Sequence, residues 1–196
     1  MTGRGIWGWL QRLFTFRRKG WKTGPVIHLK TRSPGCVLFP KTAADGSFTV
    51  DIPATNGLHY VTRRCGPLLG KAGIKLRYRL EGAVYPVTSP TGPPLLTIYF
   101  QREGDDWGAN GKYEVYRWYA SFATVVPVVP GEHEVNVLFA DNWTAVRSSS
   151  AESNHEAFTE ALANAGRVGF VLGGGDGLGH GVYGPARLTM LEFTVA

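Results

Sequence analysis

From residue 25 onward, short apolar runs alternate with polar turns, and within the runs the apolar positions fall two apart. In IKLRYRLEG, residues 74–82, Leu76, Tyr78 and Leu80 share one face while Arg77 and Arg79 share the other. That is the pattern of a strand with one side in a core and the other in water. EVNVLFA, residues 134–140, repeats it through Val135, Val137 and Phe139. Runs of this kind predict strands at 26–30, 36–39, 47–52, 58–62, 74–81, 95–101, 113–123, 131–139, 167–172 and 186–195. Asp45-Gly46, Asn56-Gly57, Asn110-Gly111 and Pro130-Gly131 supply the bends between them. The whole predicts an all-β sandwich or barrel.

Two segments break the period of two. In SSSAESNHEAFTEALANAGRV, residues 148–168, Ser153 and Glu156 have capping-box spacing, Phe158, Ala161, Leu162 and Ala165 form an apolar stripe, and Gly166 marks the end. It predicts one short crossover helix. At the N-terminus, Ile6, Leu10, Leu13 and Phe14 fall at helical spacing with Trp7, Trp9 and Phe16 beside them and Arg17, Arg18 and Lys19 after them. This predicts an amphipathic arm, placed at residues 1–24, that needs a surface to lie on: its own domain, a larger assembly or a membrane. The domain proper is expected at 25–196.

The stretch RVGFVLGGGDGLGHGVYGPARLTMLEFTV, residues 167–195, is dense in glycine and has the look of a phosphate loop. Such a loop must lead from a strand into a helix N-terminus. Here Pro185 and the strand-like ARLTMLEFTV follow, and the Lys-Ser/Thr pair of a phosphate loop is missing. The run therefore reads as a connection between two strands, with His180 either fixing the loop or meeting a ligand.

Charge sharpens the division between arm and domain. The chain has a formal net charge of +6, yet residues 1–32 hold eight Lys or Arg and no acid, leaving 13 basic and 15 acidic residues in the rest. A nearly neutral domain argues against nucleic acid as the partner. No run approaches the roughly 20 apolar residues of a membrane span, and the N-terminus does not read as a secretory signal, since Gln11 and Arg12 interrupt its apolar stretch. Cys36 and Cys65 are too few for a disulfide scaffold and suffice for one bridge at most.

The segment with most chemistry is QREGDDWGANGKYEVYRWYAS, residues 101–121. Sugars present apolar C–H faces ringed by hydroxyls, and they are held by flat aromatic platforms beside amides and charges. Trp107 with Asp105, Asp106 and Asn110 supplies that mixture once, and Asp141-Asn142-Trp143 supplies it again. Trp118, inside a strand, reads as core. Asp105, Asp106 and Asp141 also qualify as oxygen ligands of a structural Ca²⁺. A glycosidase would need a pair of carboxylates, for which Glu103, Glu114 and Asp141 are eligible without any pair standing out.

The order FADNW (139–143), FTEALANAGRVGF (158–170), GHGVYGPA (179–186) and RLTMLEFTV (187–195) resembles the C-terminal half of jelly-roll domains of the galactose-binding or carbohydrate-binding-module type. The likeness covers roughly residues 70–196 as architecture and the final third as motif. It implies an antiparallel jelly-roll β-sandwich that binds a glycan, often without catalysis, and that in many members carries a Ca²⁺. Ligand residues vary too much among such domains to be carried over. The basic aromatic arm departs from secreted members and suggests a component of a virion or cell-surface assembly, with Trp7, Trp9, Leu10, Phe14, Arg17, Arg18 and Lys19 as the docking residues.

Overall fold

A computed structural model of the chain describes residues 20–88, 92–120, 124–174 and 177–196. The docking-arm residues Trp7 to Lys19 lie outside them. The chain opens with β1 (Lys22–Gly24), β2 (Val26–Ile27), β3 (Lys30–Thr31), β4 (Phe48–Ile52), β5 (Tyr60–Arg64), β6 (Gly73–Gly82), β7 (Tyr85–Pro86) and β8 (Leu95–Arg102). A 3₁₀ turn at Gly111–Val115 leads to β9 (Arg117–Ala120), β10 (Val126–Pro127), β11 (Gly131–Leu138) and β12 (Trp143–Ala145). The helix α1 (His155–Ala163) precedes β13 (Ala165–Gly174), β14 (Gly177–Leu178), β15 (Val182–Tyr183) and β16 (Ala186–Val195).

The pairing is antiparallel throughout, in one sheet ordered β1-β5-β13-β8-β9-β12 and another ordered β11-β6-β16-β4. Take β4, β5, β6, β8, β9, β11, β13 and β16 as the first to eighth principal strands. The small sheet then runs first-eighth-third-sixth, and the large one second-seventh-fourth-fifth. This is the winding of a jelly roll, which folds two Greek keys over one core.

The alternation read from the sequence puts the expected side chains inside. Leu76, Tyr78, Leu80, Val135 and Val137 meet Ile98, Phe100, Trp118, Val168, Phe170 and Leu172 from the other sheet, all buried. In β16 a bulge between Met190 and Glu192 shifts the phase, so that Leu188, Met190 and Phe193 all face inward.

Several sequence expectations are corrected. The strand expected at 113–123 is split: Gly111–Val115 forms the 3₁₀ turn, held by the Trp118 indole N–H donating to the Val115 carbonyl at 2.9 Å, and the strand starts at Arg117. Residues 36–39 form no strand; their backbone meets β1 through the Thr23 N–H on Leu38 and the Thr23 hydroxyl on Val37. The helix starts after Asn154, because Ser153 turns its hydroxyl to the Ser150 carbonyl instead of capping. It ends before Asn164, and Gly166 belongs to β13, where a Cβ would overlap Glu103. The sandwich begins before residue 25: Trp21 is buried against Phe48 and Phe193, and Lys22–Gly24 pairs with β5. Cys36 and Cys65 are both free thiols.

Candidate functional site

The two outer faces of the sandwich differ in chemistry. On the small sheet, Lys75, Arg77, Arg79 and Arg187 alternate with Glu132, Glu134, Glu192 and Asp51 and pair with them, Lys75 to Glu134 at 3.3 Å and Arg187 to Asp51 at 2.7 Å among others. That face neutralises itself. On the large sheet the outward positions are aromatic and polar: Tyr60 and Thr62 on β5, Tyr99 and Gln101 on β8, Arg117 and Tyr119 on β9.

Tyr60, Tyr99 and Val171 form a small apolar cluster on this face, apart from the core, with Trp107, Tyr119 and Leu178 packed on it and half-buried. The Tyr60 and Tyr119 hydroxyls share a hydrogen bond of 2.8 Å, and Tyr60 meets Tyr99 edge to face at 5.0 Å. Burial pushes the phenol pKa of all three tyrosines up, so they stay neutral hydrogen-bonding groups. The indole of Trp107 stands edge-on to Tyr60 at 5.1 Å, with its backbone at φ +69°. A bulky residue in the left-handed region is strained by roughly 1–3 kcal/mol and persists only where its surroundings hold it.

What holds it is visible. The Asp105 carboxylate accepts the Trp107 N–H at 3.1 Å through Oδ1, and its Oδ2 lies 3.4 Å from Arg117 Nε. Arg117 in turn donates from Nη2 to the Trp107 carbonyl at 3.2 Å and to the Gly108 carbonyl, and its guanidinium lies 5.1 Å from the indole centroid. Burial raises the Asp105 pKa, against the pull of the Arg117 charge. From outside, Arg147 clamps the same loop, donating to the Ala109 carbonyl at 2.8 Å and to Asn110 Oδ1 at 2.7 Å. Asp106 closes a turn by accepting the Gly108 N–H at 2.6 Å.

The glycine run lies along the same face. It joins β13 to β16 through β14 and β15, as a strand connection should. At Gly179 and Gly181, φ is +89° and +87°, and a Cβ would strike the Tyr60 hydroxyl and the His59 ring, so only glycine lets the loop lie this close. His59, and not His180, ties the loop down: its Nδ1 is 3.1 Å from the Gly179 carbonyl, and burial lowers its pKa. The side chain of His180 is exposed at the tip.

The sequence candidates thus part company. Trp107 is half-buried, while Asp105 has a side chain with no exposed surface, engaged with Arg117 and the Trp107 N–H. Asp106 and Asn110 are exposed beside it. Trp143 is fully buried, stacked on Phe139 at 5.6 Å with its N–H on the Leu138 carbonyl, so it has no face for a sugar. Asp141 and Asn142 line a separate cavity of about 330 Å³ with Glu152, His155, Phe139 and Phe158. Asp105 and Asp106 do not line that cavity with Asp141, and among the described residues no three His, Cys, Asp or Glu side chains come together at metal-binding range. Tyr60, Tyr99, Tyr119 and Arg117 escaped the sequence reading, because only the strand register brings them to one face, and so did Arg147, which reaches the loop from the turn after β12.

No protein-family model matches the chain, and no curated protein sequence matches it. Among solved structures the chain is similar to a xylan-binding module, CBM15, at 13% identity and a TM-score of 0.41, over 88% of this chain and 90% of that one.

Proposed function

We propose that this jelly roll is a non-catalytic carbohydrate-recognition module, with the outer face of its large sheet as the binding surface and Trp107 as the stacking platform. The observation that carries the reading is Trp107 itself: a strained, half-buried indole held by Arg117 and Asp105, in a loop that Arg147 clamps. Holding an aromatic plane rigid before the ligand arrives removes ordering cost from binding. Asp106, Asn110, Tyr119 and the exposed His180 supply hydrogen-bonding groups around it. Asp105, the carboxylate beneath the platform, is committed to Arg117 and shielded from a bound sugar, which favours recognition over hydrolysis.

The basic arm is the proposed attachment of the module to a larger assembly, since it concentrates cations and aromatic residues with no acid among them. A glycan array with wild type and Trp107→Ala tests the function. The reading expects specific binding that the variant loses; a folded protein silent on every glycan would refute it.

A further inference from the structure

Resting on that reading, the register of the large sheet narrows the ligand. Arg167 on β13 stands directly opposite Arg64 on β5 and opposite Gln101 on β8, and Gln101 stands opposite Arg117 on β9. Three of four residues in one row across the outer face are therefore arginines. Lys22 on β1 joins them from the next row, opposite Thr62. Like charges directly opposite on neighbouring strands destabilise a sheet.

Two of these cations are matched: Arg64 with Glu103 at 3.5 Å and Arg117 with Asp105 at 3.4 Å. Among the described residues no carboxylate lies within ion-pair distance of Lys22 or Arg167, although residues 25–196 hold as many acids as bases and the opposite face pairs its cations. Lys22 and Arg167 stand near enough for each to feel the other. After burial, the Arg167 charge is the second cause of a lowered Lys22 pKa.

We propose that the module takes an acidic glycan, one of whose sugar carboxylates is received by Arg167 with Lys22 while a neighbouring ring stacks on Trp107. The guanidinium fork matches a carboxylate in two parallel hydrogen bonds, which a lysine alone cannot do. Arg117, beneath Trp107, and Arg167 lie in one row two strands apart, roughly 10 Å, within the reach of adjoining sugar units.

The test pairs polygalacturonate, alginate and glucuronoxylan with the same polymers after reduction of their carboxyl groups to alcohols. Each is titrated with the full chain as wild type, Arg167→Gln, Arg167→Lys and Trp107→Ala, with melting temperatures confirming the fold. Wild type should bind at least one acid form about tenfold more tightly than its reduced form. Arg167→Gln should erase that difference, and Arg167→Lys should keep part of it. Equal binding of acid and reduced forms, or a preference untouched by Arg167→Gln, overturns the proposal. If neutral glycans bind through Trp107 and no acid form is preferred, the acidic ligand falls and the carbohydrate module stands. If an acid form is lost with Arg167→Gln and kept in Trp107→Ala, the anion site stands and the platform falls. Single-stranded DNA bound as tightly as any acid polymer, and equally by Arg167→Gln, would reduce the effect to the basic arm and refute the proposal.

Discussion

Asp105 and Arg117 meet 3.4 Å apart beneath Trp107, with 0% and 5% of their side-chain surfaces exposed. An ion pair this deep is costly to form and more costly to break, because removing one partner leaves the other charged and buried. Asp105→Asn should therefore lower stability by about 3–5 kcal/mol, the usual loss for half of a buried pair. Because the amide can still accept the Trp107 N–H, Arg117→Met together with Asp105→Asn should recover part of the loss. Urea unfolding of the single and double variants gives the comparison.

Trp107 and Trp143 are both stacking candidates in the sequence, Trp107 the better one for exposure because it stands in a polar, glycine-rich loop, and the structure buries Trp143. Trp143→Ala should cost about 3–5 kcal/mol, the price of emptying a packed aromatic site. Trp107→Ala, on a half-exposed loop, should cost far less and act on binding instead. Melting temperatures and glycan titrations on the same two proteins distinguish the outcomes; a large stability loss for Trp107→Ala would make it a core residue.

The boundary of the N-terminal segment gives a sharper contrast. Trp21 is 5% exposed and packs on Phe48, Phe170 and Phe193. Deleting residues 1–19 should leave a folded, glycan-binding domain, while deleting 1–24 should remove an edge strand and a core tryptophan and unfold it. Near-ultraviolet circular dichroism of both truncations decides.

His59 makes the glycine loop sensitive to acid. Its folded pKa lies below the ordinary 6.5, with burial as the main cause. Between the folded and unfolded values the unfolded chain binds more protons, so stability rises with pH there and is lost as pH falls through the folded pKa. The melting temperature should drop as pH goes from 7 to 5, by less in His59→Gln. An identical profile for the two proteins would show that another group carries the dependence.

The thiols give an independent check on packing. Burial raises the pKa of both Cys36 and Cys65 to about 11, leaving little thiolate at pH 8. Both should react with iodoacetamide far more slowly in the folded protein than in guanidinium. Rapid alkylation of either in the native state would place it in a more open setting.

The fold was legible where the period of two was clean. The strand predicted at 186–195 matches β16 to the residue, and Leu76, Tyr78 and Leu80 face the core as read. The three-residue strand β12 was not legible, because Trp143–Ala145 is too short for any period and follows a turn-like Asp-Asn. Of the proposed site, Trp107, Asp106, Asn110 and His180 were legible and the strand residues were not. In LLTIYF, residues 95–100, Tyr99 looks like another core residue of a continuous apolar run; only pairing with Tyr119 and Gly169 shows that it faces outward. Arg117 and Asp105, twelve residues apart, carried no local signal of pairing, since the turn that folds one over the other was expected to be a strand.

The most direct measurement is affinity electrophoresis of the full chain through gels holding a panel of neutral and acidic polysaccharides, with Trp107→Ala alongside. Retardation of wild type by at least one polymer, abolished in a variant of unchanged melting temperature, is the predicted result. Equal migration of both proteins through every gel would contradict a carbohydrate site built on Trp107.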